Sequence, residues 1–249
     1  MVAMINTAAI DCNNLGADFL QAGHPEEALE AFQEATKLRI LIMPISGVIC
    51  LEATRKESPP AVSASVSEAL GVVVFKVKER MQRWNLLRVL PATKICFARE
   101  KLHYDRSSMM FTAPMKISNL NCGPESNTTI LAATLLYNVA LTFHLYGTDE
   151  KSMRTSARLF ERAYTCLAYL EEDGSKRYLE QLRMASLNNS GHMHHKLGNY
   201  EAAKQHLAGL YHFVLSLPAS LSSEDLSERQ AVLFNALMLL REPSIAAAA

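Results

Sequence analysis

The chain has 249 residues and a mass of 27.6 kDa, enough for one large domain, or two small ones, with roughly three quarters of the unfolded surface buried. Its 25 Lys and Arg balance 25 Asp and Glu, so no overall field draws it to nucleic acid or anionic lipid. Five cysteines (Cys12, Cys50, Cys96, Cys122, Cys166) are odd in number, far apart and without a C-x-x-C pair. That pattern suggests neither a zinc module nor a disulfide framework, and the cysteines read as reduced, buried small hydrophobes.

The opening "MVAMINTAAIDCNN" lacks a basic region ahead of an apolar run. The apolar stretch "ILIMPISGVICL" is too short to span a bilayer and contains Pro44. No membrane span is expected, and a cytoplasmic or nuclear location is. The sequons at Asn127 and Asn188 are read as chance matches.

The first organised stretch is "LGADFLQAGHPEEALEAFQEATKLR", Leu15 to Arg39. Leu15, Gly16 and Phe19 mark one helix face, Gly23-His24-Pro25 breaks it, and Ala28, Phe32 and Ala35 mark a second helix. Glu26 and Glu27 suit the positive end of that helix, and Pro25 is acceptable in a first turn. Gly16 and Ala28 let two antiparallel helices approach closely while Phe32 fills the space beside them.

From about residue 43 to 120 the pattern fails. "ESPPAVSASVS" is a linker or loop, and "SEALGVVVFKVKERMQRWNLLRVLP" predicts a helix ending before Pro91. That helix carries Lys76, Lys78, Arg80, Arg83 and Arg88, with Val77, Trp84 and Leu90 at spacings a calmodulin-like partner could grip. The same pattern fits a structural helix whose basic stems lie over the stack. "HYDRSSMMFTAPMKISNLN" reads as extended chain that Pro114 keeps off any central strand.

Helical units then resume. "ILAATLLYNVALTFHLYG" repeats the first-helix spacing with Val139-Ala140, Phe143 and Gly147, and Ser156, Phe160 and Ala163 follow a short insertion. In "RMASLNNSGHMHHKLGNYEAAKQHLAGL", Gly191, Gly198 and Ala203 hold the small positions while Leu207 and Leu210 replace the aromatic and Ala. "SERQAVLFNALMLL" begins a further unit, as a capping element would.

The first unit resembles a tetratricopeptide repeat, whose pattern places Leu-Gly, an aromatic, a turn Gly, Ala, an aromatic and Ala where Leu15-Gly16, Phe19, Gly23, Ala28, Phe32 and Ala35 stand. Cys12 replaces the early Trp and Ile40 the closing Pro. The extended stretch, the "YNVALTFHL" helix and the tail "FNALMLLREPSIAAAA" resemble a set of helical-repeat proteins of diatoms, a likeness that implies the fold and no activity. The resemblance implies an all-α, TPR-like stack of antiparallel helix pairs, an α-solenoid with an irregular insertion at 43–120. One domain would span 1–245, with units near 6–40, 126–171 and 178–217, an incomplete unit at 226–241 and a short Ala-rich tail at 246–249.

In such a stack the first helix of each unit lines the concave side. Aligning the units places Asn14, Asn138 and Asn189 two positions before the Gly or Ala contact, with Asn235 one position before Ala236. An Asn amide offers a donor and an acceptor side by side, so these residues can clamp the main chain of an extended peptide whatever its side chains. Asn13 and Asn188 fall near the same face, joined by Tyr137 and His192. The alternative is that the asparagines cap loops or bond neighbouring helices. Related repeats that clamp chaperone carboxylates use Lys and Arg where Asn13, Ala17, Thr134, Ala185 and His192 stand here, so that ligand is not expected.

"HMHHKLGNYEAAKQH" places His192 and His195 three apart with His194 and His206 near, but no carboxylate stands at ligand spacing, so no metal or other cofactor is expected. No phosphate loop, nucleophile elbow or H-E-x-x-H motif is present, so the chain is not expected to be an enzyme. The expected function is a protein-interaction scaffold that holds an extended peptide or partner helix in a groove. A structural subunit of a larger complex, or a regulatory module read through the basic helix, are the alternatives.

Overall fold

A computed structural model describes residues 2–53, 79, 104–105, 110–117, 124–168, 170, 176–217 and 223–241. The described residues are mostly helical, in agreement with the all-α expectation. In chain order they form α1 (Val2–Gln21), α2 (Pro25–Ala53), β1 (Tyr104–Asp105), β2 (Met110–Phe111), α3 (Pro124–Tyr146), α4 (Glu150–Leu167), α5 (Lys176–Lys196), α6 (Tyr200–Ser216) and α7 (Ser223–Arg241). The chain divides into two compact units, Met1–Arg99 with Lys116–Leu135, and Glu100–Met115 with Leu136–Ala249.

In the first unit α1 packs on α2 through small residues. A Cβ on Gly16 would lie 2.5 Å from the Phe32 ring, so the aromatic seats only because residue 16 has no side chain. Ile5, Ala9, Cys12, Phe32, Ala35 and Leu38 form the buried seam. At the turn Gly23 takes φ 83, and His24 N donates to Phe19 O at 2.9 Å while Gly23 N donates to Leu20 O at 3.2 Å. This paired closure satisfies carbonyls that the end of α1 leaves open and needs a left-handed residue at its centre. α2 runs on to Ala53, past Met43, where the sequence pattern was expected to fail and through Pro44, whose missing N–H removes one ladder bond without ending the helix.

In the second unit α5 packs between α4 and α6, and α6 packs against α7. The α5–α6 turn copies the first one: Gly198 has φ 73, Asn199 N donates to His194 O at 2.9 Å, and Gly198 N donates to His195 O at 3.0 Å. A Cβ on Gly191 would meet Leu207 at 2.8 Å, the counterpart of the Gly16–Phe32 contact. α4 starts at an Asp149 cap that accepts from Ser152 N, and Arg183 closes its far end by donating to Leu167 O and Leu170 O at 2.7 Å each. Ser156 donates to Ala140 O at 2.8 Å, and the rings of Tyr137 and Phe160 lie 5.4 Å apart, tying α3 to α4.

β1 and β2 pair antiparallel, Tyr104 with Phe111 and Asp105 with Met110. Beyond Phe111 the chain bends at Ala113 and runs to Ile117 outside any strand, as Pro114 implied.

Among the described residues one helical stretch, Asn127–Tyr146 in α3, is long and apolar enough to cross a membrane. It passes the length and hydropathy test for a span, but 61% of that window is buried inside the protein and it carries Thr134, Tyr137, Asn138 and Thr142, so we read it as a core helix.

Candidate functional site

The asparagines singled out by the repeat alignment do clamp an extended main chain, and the chain supplies that strand itself. In the second unit Asn189 on α5 donates to Phe111 O at 2.8 Å and accepts from Phe111 N at 2.9 Å. Asn138 on α3 donates to Met115 O at 2.9 Å and accepts from Met115 N at 2.8 Å. In the first unit Asn14 on α1 donates to Ile117 O and accepts from Ile117 N, both at 2.8 Å.

Geometry explains the match. In an extended chain the N–H and C=O of one residue project to the same side, and residues two apart repeat that direction. A primary amide reproduces the partner half of such a pair, so each asparagine replaces one residue of a missing neighbouring strand. Met115 in the second unit and Ile117 in the first are each held in this two-point way, as is Phe111 on β2. Tyr137 Oη lies 3.4 Å from Ala113 O.

The flanking asparagines support the clamps from behind. Asn13 donates to Asn14 Oδ1 at 3.2 Å, and Asn188 donates to Asn189 Oδ1 at 3.2 Å. Asn235 on α7 donates to Asn188 Oδ1 at 3.0 Å. The one-position offset of Asn235 in the alignment thus has a structural counterpart, because it reaches another asparagine where the aligned ones reach the strand. In the second unit the relay Asn235, Asn188, Asn189, Phe111 is fully buried at its asparagines, where unpaired amides are costly.

The strand's side chains divide by burial. Met110, Phe111, Met115 and Ile117 are buried, whereas Thr112, Ala113 and Lys116 are partly exposed. Lys116 forms an ion pair with Asp18 of α1.

His192 plays a different part from the one expected. It is buried on α5 and does not face solvent, and neither ring nitrogen has a hydrogen-bond partner among the described residues, so it donates no bond to the segment. Burial first, then the nearby Lys196, His144 and His195, push its pKa down to about 4. His144 on α3 is likewise brought down to about 4, by burial and then by Lys196. Both rings are therefore neutral at pH 7.

No carboxylate stands at ligand spacing along the histidine run, but packing brings one in from another helix. Glu161 on α4 brings Oε1 to 2.9 Å from His194 Nε2 and 3.0 Å from His206 Nε2. Burial works to raise the Glu161 pKa, but the hydrogen bond from His206 and the charge and hydrogen bond of His194 outweigh it, so the carboxyl is held below its ordinary value. Glu161 lies 33 and 45 residues from its partners, and no local spacing signals it.

The side chains of the basic helix, Lys76, Lys78, Arg80, Arg83, Trp84 and Arg88, lie outside the described residues, as do the linker before them and the tail. No protein-family profile, curated protein or solved structure matches the chain.

Proposed function

We propose that the chain is a protein-interaction scaffold of tetratricopeptide-like helix pairs whose asparagines hold an extended peptide by its main chain, with its own segment 110–117 acting as the resident peptide. The observation that carries this reading is the three two-point amide clamps on Phe111, Met115 and Ile117. Main-chain bonds supply affinity in strand-addition recognition, and pockets for alternate side chains supply selectivity. The favoured partner is thus an extended peptide with bulky apolar side chains at the positions of Phe111, Met115 and Ile117. It enters by exchange with the resident segment, in the cytoplasm or nucleus.

The test replaces residues 110–117 by a Gly/Ser stretch of equal length and adds a labelled peptide of residues 108–119 in trans. Once circular dichroism has shown the variant folded, anisotropy is expected to report micromolar binding that is lost on adding Asn138→Ala and Asn189→Ala. Wild type should bind the same peptide about tenfold or more weakly, because the tethered segment competes at an effective concentration on the order of millimolar. A folded variant that ignores the peptide overturns the scaffold reading and leaves the clamps as internal bracing.

A further inference from the structure

We infer that Glu161, His194 and His206 form a binding site for a divalent ion of the zinc class, pinning three successive helices of the second unit. Glu161 stands on α4, His194 on α5 and His206 on α6, and α5 packs against both of the others. One carboxylate oxygen and two imidazole nitrogens, all within 4.8 Å of one another, converge on one point. The two imidazoles lie parallel, 7° between planes and 5.5 Å between centroids, as rings presenting the same nitrogen side by side do.

The donor set and its spacing suit zinc. Two histidines and a carboxylate are a recurring zinc set, with donors at about 2.0–2.2 Å in a tetrahedron. Such donors stand about 3.3 Å apart by that geometry. The Glu161–His edges of 2.9 and 3.0 Å therefore need to open by a few tenths of an ångström, while the His194–His206 edge, within 4.8 Å, closes toward the same value. A fourth position is left for water. Hard cations such as magnesium and calcium prefer all-oxygen shells, which two imidazoles do not provide.

The metal-free arrangement favours this exchange. For one Oε1 to accept from both rings, each Nε2 must carry a proton, and His194 Nδ1 is buried without a partner. On metal binding the Nε2 proton passes to Nδ1 or to solvent and the Nε2 lone pair turns to the ion. His194 Nδ1–H then has no outer acceptor, a deficit that costs about 10–100-fold in affinity. The site is therefore a micromolar binder rather than a nanomolar one.

The decisive experiment titrates chelator-treated full-length protein with zinc chloride, followed by thermal unfolding, and with cobalt chloride, followed by visible absorption. The expected result is a midpoint raised by about 5–10 °C at hundredfold excess over Kd, with a tetrahedral cobalt spectrum saturating at one equivalent. Glu161→Gln and His206→Gln should each remove both signals, and His212→Gln, an exposed histidine elsewhere on α6, should keep them. Glu161 is partly exposed, and Gln retains an acceptor for the histidines, so folding of that variant is checked by its unchanged metal-free midpoint. Absence of any zinc effect, or an effect that survives both substitutions, overturns the proposal. This outcome is independent of peptide binding.

Discussion

The α1–α2 and α5–α6 helix pairs are two copies of one solution, and their differences show where each stores its stability. Both close on a left-handed glycine, both place a glycine under a large apolar side chain, and both set an asparagine two residues before that glycine. In the first, the apolar partner is the rigid ring of Phe32, and the asparagine is partly exposed. In the second, the partner is the flexible Leu207, and Asn189 is fully buried with Asn188 and Asn235 behind it. One pair depends more on shape and the other on buried polar pairing.

The sharpest way to break this contrast is to remove the two clamps in turn. Asn189→Ala removes two bonds to the Phe111 main chain and the one from Asn188, all at buried groups, and should cost about 3–5 kcal/mol in denaturant unfolding. Asn14→Ala, where water can replace the amide, should cost about 1 kcal/mol. Equal losses would mean that burial does not separate the two pairs.

Shape is tested by the glycines. Gly16→Ala drives a methyl into the Phe32 ring and should cost about 2–3 kcal/mol, whereas Leu207 can rotate away from Gly191→Ala at about 1 kcal/mol. Adding Phe32→Leu to Gly16→Ala should recover most of the loss, and failure to recover would point to a backbone cause.

Acid offers a third comparison. The pKa values of His144 and His192 are lowered in the folded state, so between their ordinary value near 6.5 and about 4 the unfolded chain binds more protons. Their contribution is complete above pH 6.5, declines as pH falls and levels off near 4. Discounted for their partial solvent contact, the pair should cost about 2 kcal/mol over that window. Hydrogen exchange should show α5–α6 amides losing protection there before α1–α2 amides, and His192→Phe should shrink the difference.

The smallest effect sharpens what the helix pairs share. Gly23→Ala and Gly198→Ala each force a Cβ into the left-handed region and should cost about 1 kcal/mol alike. Unequal Tm shifts for the two would mean that the turns differ in strain despite their matching hydrogen bonds.

Local spacing carried much of this. Leu15-Gly16, Phe19, Ala28 and Phe32 announced a helix pair, because small residues at matched positions have few other uses on amphipathic helices. Asn14, Asn138 and Asn189 announced a main-chain clamp, because an amide at a repeated position matches a repeated peptide group. What the amide cannot encode is whose main chain it holds, so the extended reading of "TAPMKI" and the asparagines stayed unconnected in the sequence. Glu161 stayed hidden for a related reason: its histidines lie on other helices, and only packing brings them within 3.0 Å. The burial of His192 was not legible because a histidine is compatible with either face of a helix.

Recognition through peptide groups has an evolutionary corollary. Helices and strand can drift apart in side-chain identity without losing register, since the amides read no letters at Thr112 or Lys116. The substitution they do forbid is an imino acid: proline arising at 111, 115 or 117 deletes the donor one clamp requires, whereas the existing Pro114 stands where no clamp needs one.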